Sequence, residues 1–290
     1  MPFIIAFPFL PSHDKKTHCN SEALAGLQST THSIPLTMFN LYGKIALITG
    51  AQPTLGRVYA IALASQGAKV VLTNTTEELC KDAVAEIVAM GGDAHCFGMD
   101  VSRKAQIDTT IEKVGQQFGR LDILINCAGV FKPKPALEIT EREWDETISV
   151  NLKGQFLCAQ RAAKEMAKNT WGRIINISWI APAGEGIGFG GPAHATASKG
   201  GMIGMNETLA DEWAPLGINV NAIALGVIEI PRVEGVRISE EAKKAILEHI
   251  PLHRMGKPEE VSGAIIFLAS QEASYVTGAT IYVDGGWHSF

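Results

Sequence analysis

The sequence predicts an α/β protein: a doubly wound parallel sheet of seven strands inside a three-layer α/β/α sandwich. Three observations carry this. Short apolar runs alternate with longer amphipathic stretches through most of the 290 residues, the order that βαβ units impose. The runs are apolar throughout and do not alternate with polar residues, as expected of strands buried on both faces. A hydrophobic content of 46% with 29 glycines suits a buried sheet whose strands end in tight turns.

Taken in order, Lys44 to Thr49 (KIALIT) is the first strand, closed by Gly50, with a helix over 56–65. Ala68 to Thr73 is the second strand, and the helix ending at Met90 carries Leu79, Ala83 and Ile87 on one face. Asp93 to Gly98 and Leu121 to Asn126 are strands three and four, separated by a helix over 105–118. One long helix is expected over 141–168, then a fifth strand (RIINIS) and a glycine-rich loop. A helix running to Trp213 follows, and Ile218 to Ala224 is strand six. PEEVSGAIIFLAS reads as the last helix and TIYVDGG as strand seven. Right-handed crossovers place ligands at the carboxyl ends of such strands.

Residues 1–37 read differently. FIIAFPFL is too short to span a bilayer, and no lysine or arginine precedes it as a secretory signal requires. The polar stretch behind it has no periodicity. The expectation is a disordered or non-native extension over 1–37 and a single domain over 38–290. A net charge of −5 supplies neither a nucleic-acid-binding field nor a polybasic membrane patch. Five widely spaced cysteines without a C-x-x-C pair predict reduced thiols in a cytoplasmic protein. The eight histidines form no ligand cluster, so no metal site is expected.

Thr49 to Arg57 (TGAQPTLGR) brackets a strand-to-helix turn between Gly50 and Gly56. There, backbone N–H groups and a helix dipole can hold a pyrophosphate. Asp100-Val101 and Asn126-Cys127-Ala128-Gly129 fall at strand ends on the same edge. With V-N-L-K-G at 150–154, G-R-I-I-N-I-S at 172–178, A-S-K at 197–199 and V-T-G-A…V-D-G-G at 276–286, residues 40–290 resemble the short-chain dehydrogenase/reductase family. The resemblance implies a Rossmann sheet, a nicotinamide cofactor (NAD or NADP), a small-molecule substrate, a homo-oligomer (dimer or tetramer) and hydride transfer between alcohol and carbonyl. It assigns Gly50 and Gly56 to the pyrophosphate loop, Asp100 with Val101 to the adenine, and Asn126 with Gly129 to the turn beside the cofactor. Thr54 replaces the loop's middle glycine, where a β-branched residue crowds the backbone. Asn74 and Thr75 stand where an acid or an arginine selects NAD or NADP. Arg57 is the nearest cation, as readily a solvated helix residue as a phosphate partner.

The family shares its chemistry among serine, tyrosine, lysine and asparagine, the lysine lowering the tyrosine's pKa so that the phenol works near neutral pH. Asn151 and Lys199 match two of these, and Lys199 also holds the cofactor ribose. Trp179 stands at the serine position and Ala195 at the tyrosine position; Leu225 and Ile230 replace a proline and a threonine nearby. Ser178, next to Trp179, points to the opposite face by strand alternation. Substitutes for the missing acid are Thr196, Glu185 and His194, histidine being the residue type that ordinarily titrates nearest neutrality. His194 reads first as a helix-start histidine bonded to backbone or water, and second as the stand-in acid. Three functions stay open. They are an oxidoreductase with a remodelled site, a non-catalytic nucleotide-binding or oligomer-forming member, and a lyase or hydrolase using His194, Glu185 or Lys199.

Overall fold

The computed structural model describes residues 38–51, 55–180, 192–229 and 239–289. Seven parallel strands form one sheet: β1 (Ile45–Thr49), β2 (Lys69–Asn74), β3 (Ala94–Gly98), β4 (Ile123–Asn126), β5 (Gly172–Trp179), β6 (Ile218–Leu225) and β7 (Thr280–Val283). Their spatial order is β3-β2-β1-β4-β5-β6-β7. The order reverses between β1 and β4, and a crevice opens at the carboxyl ends of strands where that happens.

The helices are α1 (Leu55–Ser65), α2 (Lys81–Ala89), α3 (Lys104–Phe118), α4 (Glu141–Ile148), α5 (Gln155–Met166), α6 (Ala193–Trp213), α7 (Glu240–His249) and α8 (Pro258–Ala269). In α1 the buried residues are Gly56, Tyr59, Ala60 and Leu63, the spacing of one helix face. Tyr59, Ala60 and Leu63 join Ile48, Ile125, Ile177 and Val261 in the core on one side of the sheet. Ile107, Ile111 and Val114 of α3, with Cys158, Ala162 and Met166 of α5, pack against Leu47, Leu124 and Ile174 on the other. The alternation of strand side chains between two covered faces explains why the strands are apolar throughout.

Two expectations are corrected. The long helix over 141–168 is broken. Thr140 and Glu143 form a capping box at the start of α4, a π-helical turn occupies Ser149–Gly154, and α5 restarts at Gln155. Insertion of a π turn changes the hydrogen-bond register without disturbing the apolar pattern, so periodicity does not reveal it. The cysteines are not all free thiols. Cys80 and Cys96 form a disulfide with Cα atoms 6.1 Å apart, 16 residues apart in sequence, while Cys127 and Cys158 are free. Leu72 of β2 pairs with Cys96 of β3, and a 3₁₀ turn over Glu77–Cys80 brings Cys80 back to β3.

No described helix is long and apolar enough to cross a membrane. Residues 1–37 lie outside the described residues, as do Thr54, Glu185 and Ile230.

Candidate functional site

The carboxyl ends of β1 and β4 lie close together because two small residues permit it. Thr49 Oγ1 accepts hydrogen bonds from the Cys127 and Ala128 N–H groups, both at 3.1 Å. Gly50 has φ +71°, and a Cβ there would sit 2.5 Å from Ala128 Cα. A Cβ on Gly56 would lie 2.7 Å from the Gly50 carbonyl oxygen. The two glycines therefore let the end of β1 pass close to the residues after β4 and to the start of α1, a helix N-terminus at the carboxyl edge of the sheet, where a pyrophosphate can be held.

Asn74 ends β2 in a buried position. Its Oδ1 accepts from the Thr75 N–H at 2.8 Å, but Nδ2 is buried with no partner. An orphaned buried donor beside a nucleotide cradle fits a ribose hydroxyl or phosphate oxygen, since such groups are otherwise nearly always paired. Arg57, a phosphate partner or a solvated helix residue on the sequence reading, is ion-paired here: its Nε donates to Glu86 Oε2 at 2.7 Å, with both side chains part-exposed.

At the end of β3, Asp100 Oδ1 accepts from the Ser102 N–H at 2.9 Å and from the Ser102 hydroxyl at 2.7 Å. Burial works against its charge, but these bonds and Arg103 outweigh it and hold the carboxyl below its usual range. Val101 is buried behind it, with its carbonyl against Gly154: a Cβ there would lie 2.6 Å from that oxygen. Asn126 is fully buried at the end of β4. Its Nδ2 donates to the Asn176 Oδ1 at 2.9 Å and to the Gln155 carbonyl at 3.0 Å, while Asn176 donates on to Asn206 at 3.3 Å. Asn126 thus anchors a row of amides from β4 through β5 to α6, a structural part the sequence did not announce.

Asn151 lies within the π turn, where such bulges often mark function. Its Oδ1 accepts from the Val130 N–H at 2.8 Å and its Nδ2 donates to the Val130 carbonyl at 2.9 Å. This clamps the turn after β4, with Gly129 so close that a Cβ would lie 3.4 Å from Oδ1. Lys199, half-buried on α6, donates from Nζ to the Ile177 carbonyl of β5 at 2.6 Å. Burial pushes its pKa down to about 8, opposed by Cys127, whose thiol burial pushes up to about 12.

Trp179 closes β5 opposite Leu225 and meets Phe131 edge-on, ring centroids 4.9 Å apart. Its indole Nε1 is buried without a partner. Ser178 faces α6, with its hydroxyl 3.5 Å from the Lys199 carbonyl, as alternation predicted. Ala195 and His194 are buried at the start of α6. Both ring nitrogens of His194 lack partners, and the ring stacks on Trp144 at 6.5 Å. The expected backbone or water bond of a merely structural histidine has no counterpart on its protein side. Trp144 and Phe131 were missed in the sequence. Their only signal was a lone aromatic within a polar stretch. Among the described residues no three of His, Cys, Asp and Glu gather as a metal site.

Comparison with known proteins follows the same geometry. A family model described as enoyl-(acyl carrier protein) reductase matches residues 50–288. The chain is 41% identical over 247 residues to the 3-oxoacyl-[acyl-carrier-protein] reductase FabG of Thermotoga maritima, covering 85% of this chain and 98% of that protein. It is 38% identical over 253 residues to the 2-dehydro-3-deoxy-D-gluconate 5-dehydrogenase of Dickeya dadantii, covering 87% and 98%. A short-chain type dehydrogenase/reductase from Mycobacterium marinum superposes with a TM-score of 0.80 at 32% identity, covering 86% and 97%. An Agrobacterium tumefaciens protein solved with bound NADP does so with a TM-score of 0.78 at 38% identity, covering 87% and 99%. With its sheet order, its glycine turn and relatives matched over nearly their whole length, this chain belongs to the short-chain dehydrogenase/reductase family of oxidoreductases.

Proposed function

We propose that the protein is an NAD(P)(H)-dependent carbonyl–alcohol oxidoreductase whose proton-transfer site has been rebuilt around His194. Gly50, Gly56, Asn74, Asp100, Val101, Asn126, Gly129 and Lys199 would hold the dinucleotide, with Thr54 in the same loop. The cofactor supplies or accepts the hydride; everything else falls to the chain. Ala195 provides no phenol and Trp179 no hydroxyl, so the usual route is not supported. One observation carries the alternative: His194, next to Ala195, is buried with neither ring nitrogen hydrogen-bonded. A general acid must present a free N–H or lone pair to the reacting oxygen. Asn151 keeps the turn after β4 in place and Lys199 is bonded to β5. Exposed Leu137 and Trp144 support a homo-oligomer, and the domain is read as residues 38–290, cytoplasmic, acting on a small molecule.

The test is turnover on a panel of ketones and alcohols with the cofactor bound. His194→Ala should lower kcat/KM by about 10²–10⁴ with NADPH and NADH affinity retained. Unchanged turnover removes histidine as the acid. Cofactor binding without any turnover instead favours a non-catalytic nucleotide-binding member, for which the edge-packed Trp179 would be a plug. Absence of binding to either cofactor leaves the lyase or hydrolase reading with Glu185.

Lys199 gives a second prediction. Burial depresses its pKa from 10.5 to about 8, so the ammonium is present below that pH and lost above it. An alkaline limb in kcat/KM near pH 8 is expected, and Lys199→Met should abolish it. The linkage to stability has the opposite sense. Between about 8 and 10.5 the unfolded chain binds more protons, so this group's contribution to stability rises with pH.

A further inference from the structure

We propose that Cys80 and Cys96 form a thiol-modification site whose disulfide state holds the turn after β2 ready for a nucleotide, and whose reduced state binds it more weakly. Residues 75–79 are five consecutive exposed residues between buried Asn74 and buried Cys80. Thr76, at the start of the 3₁₀ turn, makes no side-chain cap hydrogen bond. The ion pair in this stretch, Lys81 with Glu78, is exposed on both partners and adds little. The turn is therefore fastened at its two ends. Asn74 holds one end through Thr75 and through its own carbonyl, which accepts from the Met99 N–H at 2.6 Å. The other end is the bond from Cys80 to Cys96 of β3.

Asn74 carries the orphaned Nδ2 described above, so the fastened turn borders the place where a nucleotide's ribose end would be read. That functional arm rests on the nucleotide reading; the pairing itself does not. Reduction has an available entry point and a stable product. Cys96 is half-buried and Cys80 is buried, so a small thiolate attacks Cys96 Sγ, and Cys80 leaves as the thiolate and takes a proton. A second thiolate then attacks the small-molecule sulfur of the mixed disulfide, releasing RSSR and the Cys96 thiolate. The balance is protein disulfide plus two RSH giving two protein thiols plus RSSR, and a low-molecular-weight disulfide reverses it. The two sulfurs lie 3.5 and 3.1 Å from the same Glu77 carbonyl oxygen. After reduction both thiols face that one acceptor, and nothing covalent joins the turn to β3.

The experiment uses the full chain equilibrated with either glutathione disulfide or dithiothreitol. After oxidation, denaturation and alkylation, the peptides carrying Cys80 and Cys96 should be found unalkylated and joined by a disulfide; alkylation of both would overturn the pairing. NADPH and NADH titrations should give a Kd about tenfold weaker in the reduced protein, the cost of immobilising one or two side chains afresh. Cys96→Ser should bind like the reduced protein in both buffers. Equal affinities in the two redox states, or a redox response surviving in Cys96→Ser, would overturn the proposal. Tryptic cleavage after Lys81 gives a readout independent of cofactor. It should be faster in the reduced protein, and equal rates would again count against the site. If neither state binds either nucleotide while cleavage still differs, the nucleotide reading fails and the fastening of the turn stands.

Discussion

Gly50→Ala is expected to abolish nicotinamide-nucleotide binding and lower the melting temperature by about 6–12 °C. The new Cβ would lie 2.5 Å from Ala128 Cα and 2.8 Å from Ala128 N, at a φ of +71°. Both obstructing atoms are main chain, so no rotamer change relieves them. A left-handed conformation costs an L-residue about 1–2 kcal/mol, and overpacking about 1–3 kcal/mol. The sum is about 2–5 kcal/mol; at about 3 kcal/mol, with each kcal/mol moving the melting point of a domain this size by about 2–4 °C, the shift is about 6–12 °C. Relief by separating β1 from the β4 turn would also break the two hydrogen bonds to Thr49 Oγ1 and open the cradle. Gly263→Ala is the control: it lies in α8 with nothing within 4 Å of its added Cβ, and should leave the melt unchanged or slightly raised. Thermal melts and cofactor titrations on both variants decide the matter. A wild-type melt for Gly50→Ala would show that the β1–α1 turn is looser than these distances require.

The other large effect is a gain. Trp179→Ser combined with Ala195→Tyr should restore a second acid, so that in this background His194→Ala no longer costs the about 10²–10⁴ that a positioned acid is worth. Lys199 is already in place, four residues beyond Ala195 on α6, with Nζ bonded at β5. Its ammonium would favour the phenolate and bring the phenol nearer neutral pH. The pair must be changed together, because the Trp179 ring occupies space against Phe131 that a substrate carbonyl and a hydroxyl need. If the double variant binds NADPH yet His194→Ala still costs it that much, the site has diverged beyond these two positions. Leu225 and Ile230 are then the next places to look.

Most of the fold was legible because buried parallel strands announce themselves as unbroken apolar runs. KIALIT and INVNAIA end within one residue of β1 and β6. LDILIN was read too long, since Leu121 and Asp122 precede β4. The Asp122 carboxylate accepts from the Ile45 N–H at 2.9 Å, while its own N–H donates to the Ile45 carbonyl at 3.0 Å and its carbonyl accepts from the Arg173 N–H at 2.9 Å, so it ties the bases of β1 and β5 just ahead of the strand. The helix over 141–168 was read as unbroken because a π turn leaves the spacing of apolar residues nearly intact. Of the proposed site, the glycine turn, Asn151, Lys199, Trp179 and Ala195 were named from the sequence alone. The sequence did not reveal that Arg57 is bound to Glu86, or that Asn126 is part of an amide row into α6.

By itself the sequence determined the strand order's raw material and the family, because these depend on residue type and spacing along the chain. The tertiary structure alone decided which polar atoms are left without partners and which sulfurs meet. His194 is set apart by ring nitrogens that reach no hydrogen-bond partner, and burial without a hydrogen bond is a property of all neighbouring elements at once. Cys80 meets Cys96 through the register of β2 on β3 and a 3₁₀ turn between them. The sequence suggested five reduced thiols, because a pairing set by strand register leaves no mark in the spacing of cysteines.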